Sequence, residues 1–362
     1  WISWIWTLAV FVVGMAISGK FVKKVSKLSI HVSEIQNTFT QYSRLLALLE
    51  DQSFESQALV QRHNEIKNEA NSSSRVLKRF ANLLDRLDQR NNLLVGVILN
   101  GFFLRDLMIC GYIEAWIDQN KHVVPKWFDA IAFFDAYNSL GNYAFNHPDY
   151  VYPTLVDQGN TLECKAIVHP LLAPDKVVPN DITISLEDFY IVTGANMAGK
   201  STFLRTIALH LVMANVGLPV CVESSRYRPI KLITSMRTTD SLKDDESYFF
   251  SELKRLKFII EEMDSGKYFI VLDEILKGTN SQDKAIGSQK FIDKLVGMKG
   301  TGIVATHDLS LCEVSQRHEN VSNYFFDAQL VKDELIFDYQ LKKGICQNMN
   351  ASFLLKKMGI VE

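Results

Sequence analysis

The stretch Asp188-Phe-Tyr-Ile-Val-Thr-Gly-Ala-Asn-Met-Ala-Gly-Lys-Ser-Thr202 decides the fold of this chain. Its first part reads as a short strand of β-branched and aromatic residues. Its second part matches the pattern G-x-x-x-x-G-K-[ST], and the apolar spacing of residues 203–216 predicts a buried helix. Glycine at positions 194 and 199 lets a backbone wrap closely around phosphate oxygens. The stretch therefore predicts a phosphate-binding loop on an α/β sheet.

The residue types of this loop suit a bound nucleoside triphosphate. Lys200 is expected to reach the β- and γ-phosphates, and Ser201 is expected to hold Mg²⁺. The N-terminus of the following helix adds partial positive charge. The predicted nucleotide-binding residues of the loop are Gly194, Ala195, Asn196, Met197, Ala198, Gly199, Lys200, Ser201 and Thr202.

A second predicted strand, residues 267–272, ends in two carboxylates, Asp273 and Glu274. The carboxyl ends of strands form the ligand-binding edge of α/β sheets. We therefore predict that Asp273 holds Mg²⁺ beside Ser201 and that Glu274 orients and deprotonates the attacking water. An ordinary acidic strand end is the alternative interpretation.

A third apolar run, residues 301–305, ends at Thr306, His307 and Asp308. At this edge of the sheet, His307 is expected to sense the γ-phosphate by hydrogen bonding. A structural histidine at a strand end is the alternative.

Composition places few limits on the function. The 362 residues are 47% hydrophobic and 22% charged, as in ordinary folded proteins, and the net charge of −2 gives no global signal for nucleic-acid binding. The five cysteines are scattered without a C-x-x-C pair. This pattern argues against a zinc site and a disulfide framework, and it suits a reducing compartment.

The first eighteen residues, WISWIWTLAVFVVGMAIS, carry no charge. As a helix they would span ~27 Å, close to the thickness of a bilayer core. Three tryptophans gather at one end, and Lys20, Lys23, Lys24 and Lys27 follow the other, which suits a positive-inside flank. A membrane segment within residues 1–20 is favoured over a buried core helix or a signal-peptide remnant. It would leave the rest of the chain in the cytoplasm.

The remaining chain is predicted to form an all-α stalk or lever, residues 21–160, followed by an α/β domain, residues 161–362. Glycine and proline are nearly absent between residues 28 and 119, where apolar residues recur at helical spacing. Ser72 to Ser74 are expected to cap the helix that carries residues 75–88. The apolar block at residues 93–104 is too short for a second span and is expected in a core.

Four segments in this order resemble the ATPase domain of the MutS family of DNA mismatch repair proteins: TGANMAGKSTFLR, VLDEILKGTNSQD, ATHDLSL and DYQLKKGICQNMNASFLLKKMG. The Asn196-Met197 pair inside the loop is characteristic of that family. The resemblance covers about residues 161–362 and extends weakly into the helix before them. It implies an α/β P-loop fold of the ABC type, with ATP and Mg²⁺ as cofactors, and two composite sites in a homodimer.

The resemblance also implies a role for each matching residue. Lys200, Glu274 and His307 match the catalytic positions, and Ser201 with Asp273 matches the magnesium site. Tyr339 falls where the family places a ring against adenine, and a flat ring is suited to stack there.

Two further positions match the contacts that the family makes across its dimer. Ser247 matches a serine that approaches ATP on the other subunit, and Gly278-Thr279-Asn280 falls in the loop that contacts the partner. The family pattern differs here, since Arg237-Thr-Thr-Asp240 replaces Arg-x-Gly-Ala and Glu246 replaces a small glycine. Leu276-Lys277-Gly278-Thr279 stands for Gly-Arg-Gly-Thr. These differences affect the expected contacts with the other subunit more than the nucleotide site within the same chain.

About 160 residues precede the ATPase segments, and they read as all-helical without a Phe-x-Glu wedge of the kind that probes mismatches. A divergent MutS-like protein that lacks the mismatch-recognition domain is therefore expected. The favoured function is Mg²⁺-dependent ATP hydrolysis that couples a nucleotide-driven dimer to DNA binding, in repair or recombination. The alternative is a membrane-tethered, ATP-driven switch. An ABC transporter subunit is disfavoured because no L-S-G-G-Q stretch occurs.

Overall fold

The computed structural model describes residues 2–29, 32–67, 72–88, 93–173, 175, 177–236, 248–331 and 334–347. The chain divides into two compact units, residues 1–141 and 142–362. Helices come first and a mixed α/β arrangement follows, as the sequence predicted. The predicted domain limits at residues 20 and 160 stay predictions.

Helices account for the regular structure described before residue 147. They are α1 (Ile2–Ser29), α2 (Val32–Glu50), α3 (Gln57–Ile66), α4 (Ser73–Asp88), α5 (Leu93–Phe103), α6 (Arg105–Asn120) and α7 (Val124–Asn146). In α4, Leu77, Phe80, Leu84 and Leu87 are buried because their spacing places them on one helix face. That face contributes to two apolar clusters, one with α6 and the other with α2, α3 and α7.

The predicted cap of α4 is present and is anchored by a carboxylate from the end of α2. Glu50 accepts hydrogen bonds from the hydroxyls of Ser72, Ser73 and Ser74 at 2.7, 2.6 and 2.8 Å, and from the Ser74 amide at 2.9 Å. Burial is the largest single influence on the pKa of Glu50 and acts to raise it. The serine hydrogen bonds outweigh burial, and the pKa is lowered from its ordinary value of 4.5.

Glu50→Gln is therefore expected to destabilise the helical unit by about 1–3 kcal/mol at neutral pH, because the charge-assisted hydrogen bonds from the serines become weaker neutral ones. A lowered pKa in the folded state stabilises above the ordinary value and loses this effect as the pH falls through the folded pKa. The difference in the free energy of unfolding between the wild type and the variant should therefore become smaller below pH 4.5. Thermal unfolding across pH measures it. Glu55→Gln, at an exposed site, is the matched control; an equal loss there would contradict the assignment.

Helix α1 is long and apolar enough to cross a membrane between Trp4 and Ser26, judged by length and composition alone. Its mean hydropathy there is 1.9, and 6% of its most apolar window is buried. The span predicted from the sequence ends earlier, at Ser18, because lysines follow that residue. The low buried fraction distinguishes α1 from the core helix of a folded protein. A signal sequence near the N-terminus would meet the same criteria of length and composition.

Helix α5 differs from its predicted place in a core. Ile98 and Phe103 are 52% and 63% exposed, although Gly14 of α1 closely approaches Gly101. The expectation was wrong because an apolar run does not show whether a partner covers each face. Helices α5 and α6 meet at a bend of 77°. Residues 96–120 would form a second membrane crossing only if the two helices together make one broken span.

The second unit contains two sheets. The strands are β1 (Thr154–Leu155), β2 (Leu162–Ile167), β3 (Asn180–Ile184), β4 (Phe189–Gly194), β5 (Ser224–Tyr227), β6 (Lys231–Ser235), β7 (Tyr268–Asp273), β8 (Thr301–Ala305), β9 (Val321–Val331) and β10 (Glu334–Lys343). One sheet has the order β1-β5-β2-β3, and the other has the order β10-β9-β4-β8-β7-β6. In the larger sheet, strands β6 to β9 and β4 run parallel, and β10 is antiparallel to β9.

Alternate residues of the central strands serve opposite faces of the larger sheet. Tyr190 and Val192 of β4 pack in a cluster with the helix α8 (Lys200–Asn215) and the smaller sheet. Phe189 and Ile191 pack in a second cluster, with α9 (Tyr248–Ser265) and α10 (Ser281–Gly297). Because both faces are covered, β4 and β8 are buried throughout, as their continuous apolar sequences require. A short 3₁₀ helix (Leu309–Glu313) and α11 (Val314–Arg317) precede β9.

Adjacent strands bring the three predicted site segments to one edge. Strands β4, β8 and β7 are neighbours, with Val192 and Asp273 both paired in register to Ala305. The glycine-rich loop leaves β4, Glu274 follows β7, and His307 follows β8. Segments far apart in the sequence thus share the carboxyl edge of one parallel sheet.

Candidate functional site

The loop between β4 and α8 has the backbone that its glycines were expected to provide. Gly194 and Gly199 have φ angles of +144° and +106°, and Met197 also lies in the left-handed region at 67°. A Cβ atom on Gly194 would lie 2.5 Å from the carbonyl oxygen of Phe326, so a larger residue would displace β9. Both glycines are therefore required by backbone geometry as well as by any bound phosphate.

Lys200 begins α8 and points back into the loop. Its side chain is buried, and Nζ donates to the carbonyl oxygens of Gly194 and Ala195, both at 2.9 Å. Burial is the largest influence on the pKa of Lys200 and lowers it to about 8, although the carboxylates of Glu274 and Asp273 act to raise it. The ammonium is thus held at the place where the loop would cradle a phosphate.

Ser201 and Asp273 lie together, as the sequence predicted for a magnesium site. Ser201 Oγ donates to Asp273 Oδ1 at 3.0 Å, although the two residues are 72 positions apart. A hydroxyl and a carboxylate are hard oxygen donors of the kind that Mg²⁺ prefers, usually with water and substrate oxygens completing the shell. The pair therefore fits a magnesium ion that is shared with a phosphate.

Glu274 is held between two cationic or donor groups. Its Oε1 lies 2.9 Å from His307 Nε2, and its Oε2 lies 3.4 Å from Lys277 Nζ. The hydrogen bond from His307 is the largest cause that lowers the pKa of Glu274 to about 2; burial opposes it, and nearby charges, including Lys277, lower it further. Glu274 is therefore a carboxylate at neutral pH.

His307 joins this carboxylate to the loop lysine. Because an ionised carboxylate only accepts, the proton toward Glu274 lies on His307 Nε2. Lys200 Nζ lies on the other side of the contact, 3.2 Å from His307 Nε2 and 3.4 Å from Nδ1. The three predicted catalytic side chains thus form one connected chain of polar groups.

Tyr339 lies on a bulge in β10, where the register with β9 shifts between Phe337 and Leu341. Its φ angle is 52°, its ring is 41% exposed, and a Cβ atom on Gly199 would lie 3.2 Å from it. The side chain of Asn180 holds the bulge, donating to the Tyr339 carbonyl at 3.0 Å and accepting from the Leu341 amide at 2.6 Å. The ring is thereby fixed beside the glycine-rich loop.

A cavity of about 800 Å³ opens beside the loop, which is enough for a nucleotide-sized ligand. Apolar groups such as Val178 and Phe337 line one part of it, and the polar loop lines another. The predicted residues that line it are Asn196, Met197, Gly199, Lys200, Ser201, Thr202, His307 and Tyr339. A flat ring and a positively charged loop thus border one space.

The other predicted residues take different positions. Ala195 and Ala198 are buried residues of the loop. Asp273 and Glu274 do not line the cavity themselves, but they contact Ser201 and His307, which do. Ser247 lies outside the described residues, as do residues 237–246, where the sequence departs from the family pattern. Its trans role therefore stays a prediction.

Two residues that sequence reasoning assigned no role contribute to the site. Asn180 holds the Tyr339 bulge from 159 positions away, and Glu252 of α9 binds the turn that follows β7. Neither belongs to a local motif. Asn180 stands beside Asp181 and Glu252 beside Ser251, so no local pattern marks either residue.

A second polar cluster lies under α8 and does not have the properties of a nucleophilic site. Cys164, His210 and Ser225 are in mutual contact at 3.0 to 3.6 Å, and all three are buried. Burial raises the pKa of Cys164 to about 12 and lowers the pKa of His210 to about 4. Both groups are therefore neutral at pH 7, and the cluster satisfies its own hydrogen bonds within the core.

Comparisons with a family model and with individual proteins both find similarity to MutS proteins. The family model described as MutS domain V matches residues 190–357. The human MutS protein homolog 4 is 31% identical over 255 residues, which are 67% of this chain and 27% of that protein. The DNA mismatch repair protein MutS of Desulfatibacillum aliphaticivorans is 33% identical over 238 residues, 63% of this chain and 26% of that protein. The chain spans about a quarter of the length of these curated relatives.

Proposed function

We propose, from the premise that the comparisons support membership of the MutS family, that the second unit is a Mg²⁺-dependent ATPase of the P-loop, ABC type. The relatives named as DNA mismatch repair proteins make a DNA-linked role the favoured one for the whole protein.

One observation carries the proposal. The loop lysine, the histidine after β8 and the carboxylate after β7 form a continuous polar chain at the edge of a nucleotide-sized cavity. In the proposed complex, the loop and Lys200 hold the β- and γ-phosphates, and the Tyr339 ring stacks on adenine. Such positioning supplies most of the catalysis in phosphoryl transfer.

Hydrolysis then requires a base and a sensor. Glu274 takes a proton from water as the water oxygen attacks the γ-phosphorus in line with the leaving ADP oxygen. His307 turns from Glu274 toward the γ-phosphate when ATP is present, which removes the hydrogen bond that most lowers the pKa of Glu274 and makes that carboxylate a stronger base. Ser201 and Asp273 would hold Mg²⁺, which neutralises charge on the phosphates.

The proposed assembly is a homodimer in which each subunit completes the other's ATP site. The family resemblance at Gly278-Thr279-Asn280 and Ser247 supports it. Lys277, which stands in place of the family's arginine, contacts Glu274 of its own chain at 3.4 Å. ATP-driven closure of such a dimer would hold DNA through the helical unit, with mismatched or branched duplexes as candidate substrates.

A second candidate function rests on α1. Large apolar side chains along it are exposed, among them Trp4 at 80%, Trp6 at 68% and Val10 at 54%. Lys20, Lys23 and Lys24 follow Ser18 in the order expected for a cytoplasmic flank. A membrane-tethered switch, in which ATP moves the helical unit without DNA, would make use of this surface.

One assay separates the two functions. Phosphate release from ATP is measured with the full chain in detergent and in liposomes, with no DNA, homoduplex, mismatched duplex and branched DNA, from low to physiological salt. The DNA-linked function predicts Mg²⁺-dependent turnover that responds to DNA, most strongly at low salt, because phosphate contacts release counterions.

The outcomes are distinct. Turnover that responds to liposomes, with no DNA binding even at low salt, would favour the membrane-tethered switch. Absence of Mg²⁺-dependent phosphate release under every condition would contradict the proposed ATPase itself.

A further inference from the structure

Glu252 is a buried carboxylate that the proposed mechanism does not use. It lies in the first turns of α9, and its side chain is 4% exposed. Its Oε1 accepts from the Leu276 amide at 2.7 Å, and its Oε2 accepts from the Lys277 amide at 3.0 Å. A buried carboxylate is costly unless donors satisfy it, so these two amides account for its presence.

The two amides belong to the turn that fixes Glu274. Glu274 and Leu276 have φ angles of 52° and 58°, a left-handed conformation that non-glycine residues adopt only when their surroundings impose it. The Glu274 amide is held by the Ala305 carbonyl at 2.9 Å. Glu252 holds the other end of the turn through the amides of Leu276 and Lys277.

Packing on both sides leaves this turn little freedom. A Cβ atom on Gly278 would lie 2.9 Å from Phe249 Cβ of α9, and one on Gly287 of α10 would lie 2.6 Å from the Leu276 side chain. Ile275 and Leu276 are themselves buried. The turn is therefore clamped between α9 and α10, and Glu252 supplies the polar part of the clamp.

We propose that Glu252 is a positioning residue for ATP hydrolysis, which holds the turn at residues 275–277 so that Glu274 points toward the attacking water. The inference rests on the proposed function, since it gives Glu274 the role of base. It assigns to α9 control over the catalytic carboxylate through two backbone hydrogen bonds. Without them the left-handed turn relaxes, and the Glu274 side chain leaves its position beside His307.

Glu252→Gln tests the proposal, because it keeps the volume but turns one acceptor into a donor that faces an amide N–H. Loss of a hydrogen bond to a charged group predicts a kcat lowered about 10- to 100-fold. The KM and the affinity for a fluorescent ATP analogue should stay unchanged. Hydrogen exchange of the Leu276 and Lys277 amides should become faster. Glu261→Gln, exposed on the same helix, is the matched control.

A double variant separates positioning from a general structural effect. In a Glu274→Gln background, Glu252→Gln should lower the residual rate no further, since both act through one group. If the Gln variant does not fold, Glu252→Asp, which keeps the charge on a side chain one methylene shorter, should show the same kcat loss. Wild-type kcat in a folded variant, or a loss of ATP affinity in step with kcat, would overturn the proposal.

Failure of the proposed function would look different. A wild-type chain without ATP turnover would remove Glu274 from its role as base, whereas the exchange of the Leu276 and Lys277 amides would still report whether Glu252 holds the turn.

Discussion

Glu274→Gln is expected to abolish ATP turnover and to leave ATP binding intact. Glutamine has nearly the same shape and can still accept the hydrogen bond from His307, which lies 2.9 Å from the native carboxylate. It cannot take a proton from water. Loss of a general base typically lowers a rate by about 10²- to 10⁴-fold.

The measurement is single-turnover phosphate release beside equilibrium binding of an ATP analogue. Glu319→Gln, an exposed change in the same unit, is the control and should hydrolyse ATP at the wild-type rate. A Glu274 variant with near-normal turnover would show that another group accepts the proton. A variant that loses binding would instead place Glu274 in the phosphate or magnesium site.

Lys200→Ala is expected to weaken ATP binding by about 10- to 100-fold, the effect of losing charged hydrogen bonds to phosphate. The carbonyl oxygens of Gly194 and Ala195 already hold the Nζ atom in the loop at 2.9 Å, so ATP binding requires little reorganisation of this side chain. Lys200→Met retains an apolar stem and separates the loss of charge from the loss of packing. It should weaken binding almost as much as alanine.

The lowered pKa of Lys200 adds a pH dependence. Burial is its main cause, and the pKa lies at about 8, so the ammonium is present below that pH and is lost above it. Phosphates prefer the ammonium, and the Kd for ATP should therefore rise as the pH increases through 8.

Lys200→Arg keeps its charge at high pH and is the matched variant for this titration. Its affinity for ATP should be independent of pH between about 7 and 9, where phosphate and arginine do not change charge. An equal loss of affinity in the wild type and the arginine variant would show that another group titrates.

Some features of the site could be predicted because their causes are local. The glycine-rich loop needs left-handed backbone at Gly194 and Gly199, and only glycine adopts it freely. The strands before Gly194 and Asp273 are apolar throughout because helices cover both faces of the sheet. A strand, a loop and a helix in direct succession, Phe189–Gly194 and then Lys200–Asn215, leave few alternative folds.

Other expectations needed information that no local pattern contains. The block at residues 93–104 read as a core segment, yet α5 leaves Phe103 63% exposed. Hydrophobicity measures the tendency of a side chain to leave water. It does not identify which protein or membrane surface buries that side chain. The lysines after Ser18 likewise predict an early end to the apolar span, whereas helix α1 continues to Ser29.

The sequence by itself determined the phosphate-binding loop, the strand-end carboxylates and the order of helical and α/β parts, because each follows from backbone and hydropathy rules over a few residues. Only the tertiary structure decided which polar groups meet. Lys200 reaches His307 across 107 positions, Asn180 holds Tyr339 across 159, and Glu252 binds the Leu276 amide across 24. These contacts depend on strand order and helix packing, which place distant residues within hydrogen-bond distance.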